Sequence, residues 1–478
     1  MENIKLDIKI LVMSSVLVIA SITSCSEDFI DLTPPSSVTV DLLYKTEADF
    51  QQALIGVYTG LRGHYAGYWE VGDLRADDVW QEATNQTARV LTDNFQGHTA
   101  ANNLWSNGFI MFNRANLLLE KIQLVDIPNK EIYIAETKFL RALGYFNLIR
   151  VFGPVPFIIG SLSPEDAYKT GRAEVDRIYN ELIIPDLIEG ANTLPTQYSG
   201  SDIGRATQGA AKALLGKVYL TRKNYVEAEK ILREVTTMGY ELLDDYNSVF
   251  DHTNKHHKEY IFDIEYTSAP NAAGNTMTSI CSANWPVVRS LYGMVGTLHD
   301  SCTPRISFRN LFEAGDKRRD ISAALGVTTG DGVFQPLPPR WSAITGKYLS
   351  DVPSADNGNA NFPVIRYADV LLMLSEALNE NGKTGEALEF LNQVRARAGV
   401  AAFSGLSQTE TRNSIELERR LELNMEGHRW FDLIRWGKAL QVLTPLGMEP
   451  HMILWPLPQN EVILINDPSV LPQNPGYD

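Results

Sequence analysis

The stretch LLGKVYLTRKNYVEAEKILREV at residues 214–235 decides the fold. It joins two blocks, Ala206 to Thr221 and Tyr225 to Thr237, in which apolar residues recur at the three-to-four spacing that lines one face of an α-helix. Leu215 and Gly216 stand one turn before Tyr219, and Ala228, Leu232 and Val235 follow on the second block. Small residues let two helices approach closely, and large ones fill the space between successive hairpins. The same offsets return at Leu374, Ser375, Leu378, Ala387, Leu391 and Val394, with Lys383-Thr384 near the turn.

These offsets match the tetratricopeptide (TPR) hairpin. One match means little, but two with the same offsets predict a TPR-like scaffold. Helical periodicity also covers Phe50 to Leu61, Trp105 to Ile122, Ile132 to Val151, Val175 to Ile188, Tyr367 to Asn379, Glu386 to Ala398 and Ser414 to Leu443. The fold class is therefore mainly α, a bundle of TPR-like hairpins over about 42–239 and 366–398. Residues 240–365 differ, being rich in Gly, Asn, Ser, Thr and Pro with short alternating runs such as Tyr260 to Tyr266. They predict a loop-rich insertion with short strands, the kind of segment in which a rigid scaffold carries recognition.

The N-terminus predicts export. Lys5 and Lys9 precede an apolar run of thirteen residues from Ile10 to Ile22, which is the length of a secretory h-region and short of the roughly 20 residues that span a bilayer. Ile22-Thr23-Ser24-Cys25 resembles a bacterial lipobox, which makes residues 1–24 a signal peptide and Cys25 the lipidated N-terminus. Two or more acyl chains suffice to hold a soluble domain at a membrane. Residues 25–41, with Pro34-Pro35, read as a tether before a single domain at 42–478. Ser26-Glu27-Asp28 resembles a surface-export tag. The formal charge of -16 makes nucleic acid an unfavourable partner. Cys281 and Cys302 fall outside any CxxC pattern, and a bridge between them and two separate thiols both stay open.

Further motifs carry a family resemblance. Arg141-Ala142-Leu143-Gly144-Tyr145-Phe146 leading to Phe152-Gly153-Pro154-Val155-Pro156, the run Glu418 to Leu423 followed by Glu426 to Arg435, and the ending Leu454-Trp455-Pro456-Leu457-Pro458 with Gln473 to Tyr477 together resemble SusD/RagB proteins. The motifs of region 414–478 are the most distinctive of these. The resemblance implies an outer-membrane lipoprotein that lies over a SusC-like TonB-dependent transporter and delivers oligosaccharides to it, or peptides in RagB-like members. It implies no catalysis and no cofactor. The charged side chains from Arg419 to Arg435, at spacings of three and four, read as ion pairs within and between hairpins.

A glycan binder needs aromatic faces with polar groups beside them, because sugar rings present flat CH faces and a rim of hydroxyls. Trp69, Trp80, Trp285, Tyr292 and Trp341 lie outside the helical blocks and are the candidate platforms. Trp285 and Trp341 are preferred because they sit in the insertion. The family resemblance adds Asp77 and Asp78 loosely, as an acidic loop after the first long helix. The adjacent His256-His257 pair has no HExxH or carboxylate-rich loop beside it, so no metal site is expected. A surface glycosidase is the enzymatic rival. Its two carboxylates cannot be found in one sequence, and GxSxG, P-loop, dinucleotide and metalloprotease motifs are all absent from this one. Because lipidation needs the Cys25 thiol, Cys25→Ala is expected to shed the protein from the membrane or leave it as unprocessed precursor. Fractionation and surface labelling check this, and normal surface display of the variant would refute the anchor.

Overall fold

The computed structural model describes residues 43–80, 99–268, 274–281, 285–295, 303–339, 341–353 and 357–477. Cys25, the signal segment and Cys302 lie outside them. The chain divides into Met1–Asp49 and Phe50–Asp478. In the first unit, the Asp49 carboxylate accepts the backbone N–H groups of Lys45 (3.1 Å) and Thr46 (2.8 Å), while the Thr46 hydroxyl accepts the Asp49 N–H (3.3 Å). That reciprocal pair satisfies donors a helix start would leave open. The second unit is described from here on.

The helical scaffold runs α1 (Glu47–Tyr65), α2 (Thr99–Lys121), α3 (Lys130–Phe152), α4 (Ile184–Thr193), α5 (Gln208–Thr221) and α6 (Tyr225–Val235). After the insertion it resumes with α7 (Tyr367–Glu380), α8 (Thr384–Ala398), α9 (Gln408–Glu422) and α10 (Arg429–Arg435). The two TPR-like hairpins are α5–α6 and α7–α8. A methyl group added at Gly216 would stand 2.4 Å from Leu232 Cδ2, so only glycine allows this approach. In the second hairpin, the Ser375 hydroxyl donates to the Ala387 carbonyl at 2.7 Å. Ala228, Leu232, Val235, Leu391 and Val394 are all fully buried.

Although about 130 residues separate them in sequence, α6 packs directly on α7. Asn381 Nδ2 bonds the Tyr225 carbonyl (3.0 Å) and Glu229 (2.8 Å), and Lys383 reaches Glu229 at 2.7 Å. The array is thus continuous across the insertion. Its ends are stapled by an antiparallel pair, β4 (Tyr260–Ile264) on β8 (Phe362–Arg366). The other strands are β1 (Val79–Trp80), β2 (Val155–Pro156), β3 (Arg172–Ala173), β5 (Thr303–Pro304), β6 (Gly326–Thr328) and β7 (Phe334–Pro336). They form the two-stranded pairs β1–β5, β2–β3 and β6–β7. Among the described residues no helix is long and apolar enough to cross a membrane, and Cys281 is a buried free thiol.

The block from Ser414 to Leu443 is not one helix. It breaks between Glu422 and Arg429, where Met425 (φ 61°) and Gly427 (φ 77°) turn left-handed. The break swings Glu422 and Glu426 into a buried ion network. Arg366 meets Glu259 (2.8 Å), Glu422 (2.6 Å) and Glu426 (2.6 Å). Arg318 meets Asp316 (2.7 Å), Glu418 (2.6 Å) and Glu422 (3.1 Å). Arg397 joins Glu259 and Glu422, and Lys347 meets Glu426 at 2.7 Å. Burial pushes the Glu422 carboxyl up, but Arg397, Arg366 and Arg318 outweigh it and hold it well below the usual carboxylate range.

Two measurements test this packing. Ala228→Leu is expected to overpack the α5–α6 contact and to lower stability by about 1–3 kcal/mol; an unchanged melting midpoint would count against the hairpin register. For Glu422, a folded pKa below the unfolded value means stability that is fully present above the ordinary carboxylate range and lost progressively as pH falls from that range through the lower folded value. The wild-type midpoint should therefore drop steeply on acidification. Glu422→Gln should cost about 3–5 kcal/mol at neutral pH by stranding buried arginines, and its melting curves should depend less on acid.

Candidate functional site

The site begins where α1 ends. Tyr68 and Trp69 lead into a single wide turn, Glu70–Leu74, whose Gly72 lies against Gly427: an added methyl there would be 2.5 Å from the Gly427 Cα. Asp73 accepts the Gly427 N–H at 2.7 Å. Next, Arg75 is buried between the rings of Trp430 (4.7 Å) and Trp455 (4.5 Å), and its guanidinium donates to the Met452 carbonyl. Every turn of this segment is thereby fixed to the C-terminal motif region.

Asp77 and Asp78 do not face a free ligand surface. Asp77 pairs with Arg420 (2.7 Å) and Arg429 (2.8 Å), and Asp78 pairs with Arg420 (2.5 Å). Burial works against the charged form of Asp77, yet Arg429 and Arg420 hold its carboxyl below the ordinary value. At Asp78 burial wins and the value rises. The two carboxylates therefore anchor the base of the loop, which corrects their expected place on the ligand surface. The ion-pair reading of the motif arginines agrees with this geometry: Arg419 holds Asp369 (2.9 Å) and Asp432 (3.0 Å), and Arg435 holds Asp432 (2.8 Å) and Glu376.

Beyond this anchor, β1 pairs with β5 so that Val79 faces Pro304 and Trp80 faces Thr303. The loop after α1 and the insertion, more than 220 residues apart in sequence, meet here. Trp80 is half-buried, and its indole N–H is enclosed with no hydrogen-bond partner among the described residues. Arg305 follows β5. Its backbone N–H donates to the Asp78 carbonyl (2.8 Å) and its Nε to the Val79 carbonyl (3.3 Å), and its guanidinium lies 5.8 Å from the Trp80 ring centre. Its terminal nitrogens form no hydrogen bond among the described residues. A partly open aromatic face beside an uncommitted guanidinium can stack on a flat apolar surface and donate to oxygens at its edge.

The preferred candidates lie elsewhere. Trp285 and Trp341, 9% and 6% exposed, pack with Val288, Met294, Ile344 and Val352 in one apolar cluster, against which Tyr292 is half-buried. They are not the exposed platforms expected of them. A long insertion cannot borrow the hairpin core throughout, and these rings supply much of the apolar area for its own. Trp69 is also buried, at 4% exposure. Of the seven candidates, the structure thus brings Asp77, Asp78 and Trp80 together at β1–β5, and Trp285, Tyr292 and Trp341 together in the insertion core. Arg305 was missed, since nothing local in the sequence ties it to Trp80.

A hairpin array with a stapled insertion and a tightly held C-terminal motif defines a TPR-like binding scaffold. Two family models match the chain, the SusD family at residues 337–453 and "Starch-binding associating with outer membrane" at residues 28–220. SusD-like protein P2 of Formosa agariphila is 28% identical over 97% of this chain and 98% of its own length. The starch-binding protein SusD of Bacteroides thetaiotaomicron is 23% identical over 89% of this chain and 88% of its own. A solved laminarin-binding SusD-like protein superposes with a TM-score of 0.77 at 28% identity, covering 91% of this chain and all of that one. The chain belongs to the SusD/RagB family.

Proposed function

We propose that this chain is a non-enzymatic cell-surface lipoprotein that captures oligosaccharides around Trp80 and Arg305 and delivers them to a SusC-like TonB-dependent transporter. The observation that carries the reading is the Trp80–Arg305 pair, an aromatic face beside uncommitted terminal guanidinium nitrogens, set on a base that Arg420 and Arg429 hold rigid. Preorganisation of this kind lowers the ordering cost of binding. The laminarin-binding relative supports a glycan as the ligand class. In this reading residues 1–24 direct export, the lipid on Cys25 holds the protein at the outer membrane, and residues 25–41 space it from the bilayer.

Titration calorimetry and thermal melts on two variants test the site, with laminarihexaose, maltohexaose and xylohexaose as probes. Trp80→Ala is expected to melt nearly as wild type while affinity falls by about 1–3 kcal/mol, roughly ten- to a hundredfold. Trp341→Ala is expected to behave as a core truncation, losing about 3–5 kcal/mol of stability and keeping its affinity when folded. Wild-type affinity in Trp80→Ala would move the site away from β1–β5. Turnover of a labelled hexaose would overturn the binder reading in favour of a glycosidase.

A further inference from the structure

A recess opens beside β4, on the insertion's staple. It holds about 250 Å³ of free space between β4, the loop joining α4 to α5, and the turn after α6. Its walls include the half-buried rings of Tyr198, Tyr240 and Tyr260, with Gln197 and Ile203 at the exposed lip. Asp263 lies in the recess and is 5% exposed. Asn361 Nδ2 donates to its Oδ2 at 2.8 Å, whereas Oδ1 takes no hydrogen bond among the described residues and, not being one of the enclosed polar atoms left without a partner, is open to water. A ligand hydroxyl can take the place of water on such an oxygen, exchanging one hydrogen bond for another.

The surrounding charges decide what that donor can be. His256, one of the two adjacent histidines, holds a left-handed backbone (φ 57°) and pairs with Glu265 at 2.6 Å. Lys258 is taken by Glu241 (2.9 Å) and Arg205 by Glu136 (2.5 Å). Among the described residues the recess thus offers an anionic ligand no free cation, and Asp263 and Glu265 would repel one. A cationic ligand meets the opposite obstacle, since His256 and Lys255 already act on Asp263. Burial lifts the Asp263 carboxyl to about 6, which weakens it further as a cation site. What remains is a neutral molecule bearing hydroxyl donors and a flat apolar face.

We propose that this recess is a second carbohydrate-binding site, taking one neutral sugar ring with a hydroxyl on Asp263 Oδ1 and its CH face against a tyrosine. It rests on the reading of the chain as a glycan binder, and it is separate from β1–β5, sharing no residue with it. Saturation-transfer NMR of glucose, the probe, with the detergent-solubilised full-length protein tests it alongside hexaose calorimetry. Ile203→Trp, at an exposed lip position, should fill the recess and abolish the part of the glucose signal that survives in Trp80→Ala. Asp263→Asn, which keeps an oxygen for Asn361, should weaken glucose binding in the Trp80→Ala background about tenfold.

If Trp80→Ala alone removes all glucose transfer, or if Ile203→Trp leaves the residual signal intact, the second site is overturned while the Trp80 site stands. No glucose transfer and no hexaose binding in the wild type would overturn both. Ca²⁺ binding that Asp263→Asn abolishes would also overturn the proposal, because it would make Asp263 a cation ligand. Should Asp263→Asn melt early, Ile203→Trp still decides.

Discussion

The contacts of Arg366 are the constraint on which the rest of the molecule depends. This guanidinium closes β8, and from that position it reaches Glu259 before β4, Glu422 at the end of α9 and Glu426 in the turn beyond it. Three chain segments separated by up to 167 residues are therefore referred to one planar group. Such a cluster is a poor source of net stability, since desolvating each ion costs several kcal/mol and an apolar replacement can do as well. Its contribution is geometric. Guanidinium and carboxylate bond strongly in few orientations, so a register slip between β4 and β8 would leave charges buried without partners.

That geometry extends outward from the network in a definite order. Glu422 precedes the left-handed break and Glu426 sits within it, between Met425 and Gly427, and the same break brings Gly427 against Gly72 and Asp73. From there Arg75 is clamped between two tryptophans, and Asp77 and Asp78 are caught by Arg420 and Arg429. The most distinctive stretch of the sequence thus never needs to touch a ligand. It fixes the point from which the loop carrying Trp80 departs, and residues beyond that point can change without disturbing the core.

The hairpins were legible because their information is local: helical period, small residues at the contact, large ones between contacts. The end of the ninth helix was not, because Ser414 to Leu443 keeps apolar and charged residues at helical spacing straight through the break, and only Gly427 marks it. The tryptophans misled for a related reason. Exposure depends on what a segment packs against, and Trp285 and Trp341 sit among turn-forming residues that suggest a surface while being the largest apolar groups available to the insertion core. The pairing of Trp80 with Thr303 and Arg305 bridges more than 220 residues, and no spacing rule reaches that far. Ion pairs within and between hairpins could be anticipated from charge pattern; their partners Glu259, Arg318 and Lys347, which come from the insertion, could not.

The contrast between closed and open polar groups is what separates the scaffold from the proposed site of recognition. In the network, Arg366 directs Nε, Nη1 and Nη2 to acceptors, and Lys347 spends its three donors on Glu426 and the carbonyls of Glu422 and Asn424. A ligand has nothing to gain there, because any new bond must break one already made in a low-dielectric interior. At Trp80 and Arg305 the balance is reversed: beyond the Nε bond to the Val79 carbonyl, the terminal guanidinium nitrogens have no partner to give up among the described residues. An acceptor arriving at the guanidinium exchanges a bond to water for a charge-assisted one, a net gain of about 1.5–3 kcal/mol, while the enclosed indole N–H stays out of its reach. Recognition is therefore favoured where the fold has left bonds unmade beside an aromatic surface, and the rigidity of the closed network is what keeps those groups from collapsing onto protein partners.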